Sequence, residues 1–164
     1  MRYWFDTEFI EKDNYIDLIS IGIVAENGFS YYAICNEFNE KNACEWVRSN
    51  VLNQLDHQSF WKSKRQIKDE ITKFVKPSQA EFWVYNGAYD WVIFCQIFNG
   101  IRNLPKGYPW YANDIKQLSH MIGLPQLPVQ KNRKHHALDD AIWTKQAYEF
   151  LMQYKDYYDQ QRLR

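Results

Sequence analysis

Three dense runs of apolar positions occupy the first 35 residues. Residues 2–9 mix aromatic and polar side chains in alternation, which predicts a strand. Period-two geometry puts Arg2, Trp4, Asp6 and Glu8 on one face and Tyr3, Phe5, Thr7 and Phe9 on the other. Residues 17–25 and 29–35 read as two more strands, with Gly28 supporting the turn between them and the turn formers of residues 11–16 preceding the second. Such short connections predict an antiparallel meander.

The period then changes. Cys44, Val47, Val51 and Leu55 recur at helical spacing and predict a helix over residues 40–54. Ile67, Ile71, Phe74 and Val75 line one face of a second helix over 64–75, opened by a Ser63/Gln66 capping box and ended by Pro77. Residues 81–85 form a short strand that Asn86-Gly87 breaks, and residues 89–99 an apolar helix closed by Gly100. A loop over 102–112, ending in a short strand, leads to a helix over 114–122 with Gly123 at its C-terminal cap. After a proline-bearing loop over 124–134 comes the longest helical signal, residues 136–158. This order predicts one α/β domain over residues 1–158, a mixed central β-sheet flanked by helices, with a polar, fraying tail over 159–164. Neither GxGxxG nor GxxxxGK followed by Ser or Thr is present, which disfavours a dinucleotide-binding fold and a P-loop.

Composition narrows this little. With 46% hydrophobic and 24% charged residues the chain is not intrinsically disordered. Aromatics reach 18%, read as core packing with some rings available to stack on a flat ligand. The net charge of zero conceals a split: residues 1–60 sum to −6 and residues 61–164 to +6. A uniformly basic DNA-coating protein is disfavoured, and an acidic site beside a basic surface stays open. Three cysteines without a CxxC pair argue against a disulfide scaffold or thiolate zinc site, and the histidines lack finger spacing. No apolar stretch approaches a membrane span, and the acidic N-terminus has no signal core. The expected location is the reducing cytoplasm.

Asp6-Thr7-Glu8 places two carboxylates on one strand face among aromatic neighbours, where their repulsion calls for a cation or a proton. Asp90 lies at a loop-to-helix junction after a strand, as a helix cap or as a ligand at the strand's carboxyl end. In His135-His136-Ala137-Leu138-Asp139-Asp140-Ala141, Asp140 faces close packing and Asp139 is the more exposed. His135 shares a site with Asp140 only from the loop or first turn, so this reading leaves His136 open as well. Four carboxylates from three regions suit two divalent metals about 3.5–4 Å apart, Mg2+ or Mn2+ by their hard oxygen donors. With a histidine to take a proton from water, the set predicts phosphodiester hydrolysis.

Those three motifs resemble the DEDDh 3′–5′ exonucleases: DxE at Asp6-Thr7-Glu8, an Asn before an aromatic-Asp pair at Asn86 and Tyr89-Asp90, and HxAxxDA at His135 to Ala141. The resemblance implies a ribonuclease-H-like fold, metals on Asp6, Glu8, Asp90 and Asp140, and His135 rather than His136 as general base. The segments RYWFDTEFIE and YNGAYDW are similar to the small bacterial, mycobacterial-type group of 3′-exoribonucleases that prefer adenylate-rich RNA. That implies release of nucleoside 5′-monophosphates from RNA 3′ ends and a homodimer. Alternatives are a DNA or mixed single-strand exonuclease and a noncatalytic nucleic-acid adaptor. Phe9 stands where many DEDDh enzymes carry threonine, which loosens inference about sugar and base selection and makes Phe9 a candidate for the terminal nucleotide or for the core. Asn86 and the basic residues Lys131, Arg133 and Lys134 are the further substrate candidates. A second basic group, Lys62, Lys64, Arg65 and Lys68, reads mainly as a solvated helix face.

Overall fold

The computed structural model describes residues 1–162 except Asn14 and Pro77; for Asp156, Tyr158 and residues 160–162 it describes the backbone alone. The expected helix stop at Pro77, Asn14 of the first turn and residues 163–164 of the expected tail therefore lie outside the described residues.

β1 (Arg2–Lys12), β2 (Tyr15–Ala25) and β3 (Ser30–Cys35) form the expected antiparallel meander. Three short parallel additions complete a mixed sheet: β4 (Trp61–Lys62) beside β3, β5 (Glu81–Val84) beside β1, and β6 (Asn113–Asp114) beside β5. The order is β4-β3-β2-β1-β5-β6. β4 carries no alternation that a two-residue strand would need to be recognised, and sequence reading misses it.

Helices α2 (Lys64–Phe74) and α3 (Ala88–Ile97) cover one face of the sheet; α4 (Ile115–Met121) and α5 (Ala137–Arg162) cover the other. Alternation along β1 feeds both layers. Tyr3 and Phe5 pack with Ile67, Ile71 and Phe94, while Trp4 packs with Ile115, Tyr148 and Leu151. The Ser63 hydroxyl accepts from the Gln66 N–H and the Gln66 side chain accepts from the Ser63 N–H, so the predicted capping box is present.

Residues 40–54 depart from the expected continuous helix. They form a 3-10 turn (Glu40–Asn42), a short helix α1 (Glu45–Asn50) and another 3-10 turn (Leu52–Gln54). Val51 packs beside Ile10 and Ile19, with Val47, Leu52 and Leu55 at the edge of that cluster, so its apolar spacing reflects a small satellite core. α5 runs to Arg162 and so includes four residues of the segment expected to fray.

Candidate active site

On β1, β5 pairs only with Arg2–Trp4, so β1 extends beyond the end of this neighbour. Asp6 and Glu8 lie on this extension. Thr7 turns the opposite way, and its N–H and hydroxyl both donate to Asp90 Oδ1, at 2.8 and 2.7 Å. Asp90 thus takes over a backbone donor that β5 leaves unpaired. It lies in the first turn of α3, whose cap position is Gly87, so it does not cap the helix. The turn before α3 depends on Asn86 at φ 54° and on Gly87, where a Cβ would lie 2.4 Å from Val84. Asp114 clamps it, accepting the N–H groups of Asn86 and Gly87 at 3.1 Å each.

Asp140 arrives from above. α5 begins directly over β2 at Gly22, the residue opposite Asp6. A Cβ on Gly22 would lie 2.4 Å from the Ala137 carbonyl oxygen and from the Leu138 backbone, so only glycine lets the helix approach the sheet this closely. Ala137 and Ala141 serve the same approach and are fully buried. The Gln130 amide donates to Asp140 Oδ1.

Asp6, Glu8, Asp90, His135 and Asp140 all line one cleft of about 880 Å³. Ligating atoms of Glu8, His135 and Asp140 lie within 4.8 Å of one another. Burial drives the Asp6 carboxyl well above the usual range, with repulsion from Asp90, Glu8 and Asp140 adding to it. Burial, then Asp140 and Asp90, push Glu8 up to about 8. Asp90 and Asp140 are also raised by burial, against the opposing hydrogen bonds from Thr7 and Gln130.

The two neighbouring histidines diverge. His135 sits at φ 60°, half-buried in the cleft, with Trp46 edge-on at 4.8 Å. His136 is 3% exposed, packs at a tilt against Tyr32 with ring centroids 4.7 Å apart and lies 3.1 Å from Asp56. Asp139 is no part of the cleft; it accepts from Arg133 at 2.8 Å.

Of the substrate candidates, Phe9 and Lys134 line the cleft, and Phe9 stacks on Tyr89 at 5.4 Å. Asn86, Lys131 and Arg133 do not line it. Asn86 shapes the α3 turn, and Arg133 bonds to Asp56 and Asp139. In the other basic group, Lys62 pairs with Glu70 and Lys64 with Asp17. Sequence reading passed over Thr7, Gln130, Trp46, Tyr85 and Trp143, which complete the walls. Thr7 had a signal, a small polar residue between two acids in an apolar strand; Gln130 in its irregular loop had none.

A mixed sheet flanked by helices, with Asp90, His135 and Asp140 brought to Asp6 and Glu8 on its central strand β1, is the arrangement expected of a DEDD-type exonuclease. Solved structures agree on the fold. Escherichia coli exonuclease I in complex with single-stranded DNA superposes with a TM-score of 0.62 at 12% identity, over 93% of this chain and 42% of that one. Exonuclease I from Methylocaldum szegediense gives 0.59 at 14%, over 92% and 39%. This chain thus spans about two-fifths of those enzymes. Residues 1–152 match the family described as the 3′-5′ exoribonuclease Rv2179c-like domain, and the chain belongs to that family. The Mycobacterium tuberculosis 3′-5′ exoribonuclease Rv2179c (strain H37Rv) is 40% identical over 146 residues, covering 86% of this chain and 87% of its own; MT2234.1 of strain CDC 1551 matches equally.

Proposed function

We propose that the protein hydrolyses RNA from its 3′ end, releasing nucleoside 5′-monophosphates, with two Mg2+ ions for which Mn2+ can substitute. The supporting observation is the gathering of Asp6, Glu8, Asp90, Asp140 and His135 in one cleft of a chain from a 3′-5′ exoribonuclease family. The donor set fits divalent cations. Among the described residues no Lys or Arg forms an ion pair with any of the four carboxylates; burial raises the proton affinity of all four instead, with repulsion from the other acids adding to it at Asp6 and Glu8. Hard oxygen donors at this charge density suit Mg2+ or Mn2+.

When bound, such ions activate an attacking water and neutralise charge on the leaving oxygen. Asp6, Glu8, Asp90 and Asp140 would hold them. His135 takes the proton of the attacking water as the new P–O bond forms and the bond from phosphorus to the 3′ oxygen of the preceding nucleotide breaks. That oxygen takes a proton from solvent, and His135 returns its own to solvent from the open side of the cleft. Lys134 offers a positive charge to the incoming phosphate, and the Phe9–Tyr89 stack offers a flat surface to the terminal nucleotide. Apolar walls from Trp46, Leu127, Pro128 and Val129 suit bases rather than a bare phosphate ester. By resemblance the RNA is adenylate-rich and the working unit is a homodimer, and three cysteines without a disulfide framework favour a cytoplasmic setting. No helix among the described residues is long and apolar enough to cross a membrane.

Digestion of matched 3′- and 5′-labelled RNA and DNA, with Mg2+, Mn2+ or chelator, tests the reading. Stepwise loss from the RNA 3′ end, dependent on metal, is expected. Preference for DNA, or cleavage of RNA from its 5′ end, overturns it. A solution mass that stays near 19.9 kDa across a concentration series would remove the homodimer.

A further inference from the structure

His135 is a non-glycine residue in the left-handed backbone region, at φ 60°. Such a conformation carries a local energetic cost and persists where its surroundings impose it. Both flanking residues are held from the segment that follows α1. On one side the Gln54 amide donates to the Lys134 carbonyl at 2.9 Å. On the other, His136 meets Asp56 Oδ2 at 3.1 Å. The His136 Nδ1 accepts the Asp139 N–H at 3.4 Å, which leaves Nε2 as the protonated nitrogen that donates to Asp56. The other Asp56 oxygen accepts from Arg133 Nη1 at 3.1 Å, and Arg133 Nε reaches on to Asp139 at 2.8 Å. One carboxylate therefore ties down residues 133 and 136, on either side of His135. Neither Asp56 nor His136 lines the cleft.

We propose that Asp56 is a positioning residue for the general base: through His136 and Arg133 it imposes the backbone conformation that aims His135 into the cleft. This rests on the exonuclease reading of the cleft. Asp56 touches neither the reacting atoms nor the four carboxylates, so its removal acts on the proton-transfer step and spares the metal-binding acids. Truncation would leave a buried His136 nitrogen without its acceptor and free Arg133 from one of its two partners. The turn at His135 would then sample other conformations, and a misaimed base loses rate without weakening substrate binding.

The test is a double-mutant cycle in single-turnover RNA cleavage, combining Asp56→Ala with His135→Ala. Alone, Asp56→Ala is expected to lower the maximal rate about tenfold with the half-saturating RNA concentration unchanged. In the His135→Ala background it should change the residual rate by less than about twofold, because the group it positions is already gone. Asp56→Asn keeps the volume but offers one acceptor oxygen to two donors, so it should lose less rate than Asp56→Ala and still measurably; it carries the cycle if the alanine variant does not fold. A readout independent of turnover is the imidazole 15N spectrum of the metal-free protein, where the His135 signals should shift or broaden in Asp56→Ala while Mn2+ affinity stays the same. Equal rate losses in both backgrounds, or a loss confined to RNA affinity, overturn the inference. An inactive wild-type protein with every metal and substrate would instead overturn the exonuclease reading.

Discussion

Asp6 and Glu8 stand on a strand that β2 pairs from Tyr3 to Lys12, with a register shift between Glu8 and Phe9, whereas His135 stands in a loop held by side chains from a distant segment. The floor of the cleft inherits its geometry from the sheet. Thr7 adds Asp90 to it through two hydrogen bonds, and Gly22 lets α5 bring Asp140 down to it. The rim borrows its geometry from residues some 80 positions away, Gln54 and Asp56, across a segment of short helical turns. Carboxylates that share metal ions must hold fixed mutual distances, and a hydrogen-bonded ladder supplies that rigidity. The proposed base is mounted instead through side-chain contacts from a distant segment, so its aim depends on them.

The largest expected effect comes from the floor. Asp6→Asn or Asp140→Asn should lower metal-dependent cleavage by about three orders of magnitude or more while circular dichroism stays native. Near-normal Mg2+-dependent activity in either variant would remove it from the metal-binding set. Loss of the rim base should cost less: His135→Ala is expected to lose about 10²–10⁴-fold in turnover, with metal affinity little changed. His136→Ala should fall short of that, acting through the start of α5. The reverse ranking would put the wrong histidine in the cleft.

Gly22→Ala tests how the two regions are joined. Its new methyl group cannot coexist with the Ala137 and Leu138 backbone at 2.4 Å, so α5 must lift. A stability loss of about 1–3 kcal/mol is expected, with turnover falling further than stability because Asp140 moves off the floor. A normal melting temperature with normal activity would show that the helix need not lie so close.

The last effect falls on stability alone. Glu8 holds its proton up to about pH 8 in the folded, metal-free protein, against an ordinary value of 4.5. Between those values the folded state binds a proton that the unfolded state has released, so stability falls as pH rises through this window. Asp6, Asp90 and Asp140 shift in the same direction. Melting curves with chelator should therefore drop from pH 5 to 8.5, Mg2+ should restore most of the loss at the upper end, and Glu8→Gln should flatten the slope. A metal-free protein equally stable throughout would mean that the four acids are better hydrated than their burial indicates.

Much of this was legible before folding. Alternation in residues 2–9 separated Trp4, Asp6 and Glu8 from Tyr3, Phe5 and Thr7, and the sheet keeps that division because a strand's side chains have no other faces to choose. The capping box at Ser63 was equally local, two side chains and two N–H groups within four residues. The motif spacings, together with the family resemblance, marked out Asp6, Glu8, Asp90, His135 and Asp140, and folding brings all five to one cleft. Periodicity failed at residues 40–54, where apolar spacing served a satellite core wrapped by three short turns instead of one helix.

What required the tertiary structure were relations between distant segments. Helical periodicity left His135 and His136 unresolved, since both stand at the mouth of the same helix; contacts with Trp46, Tyr32 and Asp56 separate them. Positive charge suggested Arg133 and Lys134 equally for a phosphate, yet Arg133 is tied to Asp56 and Asp139 while Lys134 faces the cleft. Nothing near Gly22 in the chain shows that Ala137 will rest on it. A sequence specifies local periodicity and the chemical groups available, because both are properties of a residue and its near neighbours. Which acids repel, which histidine is buried and which glycine is indispensable depend on segments that meet only after folding, where burial and close contact set the energies.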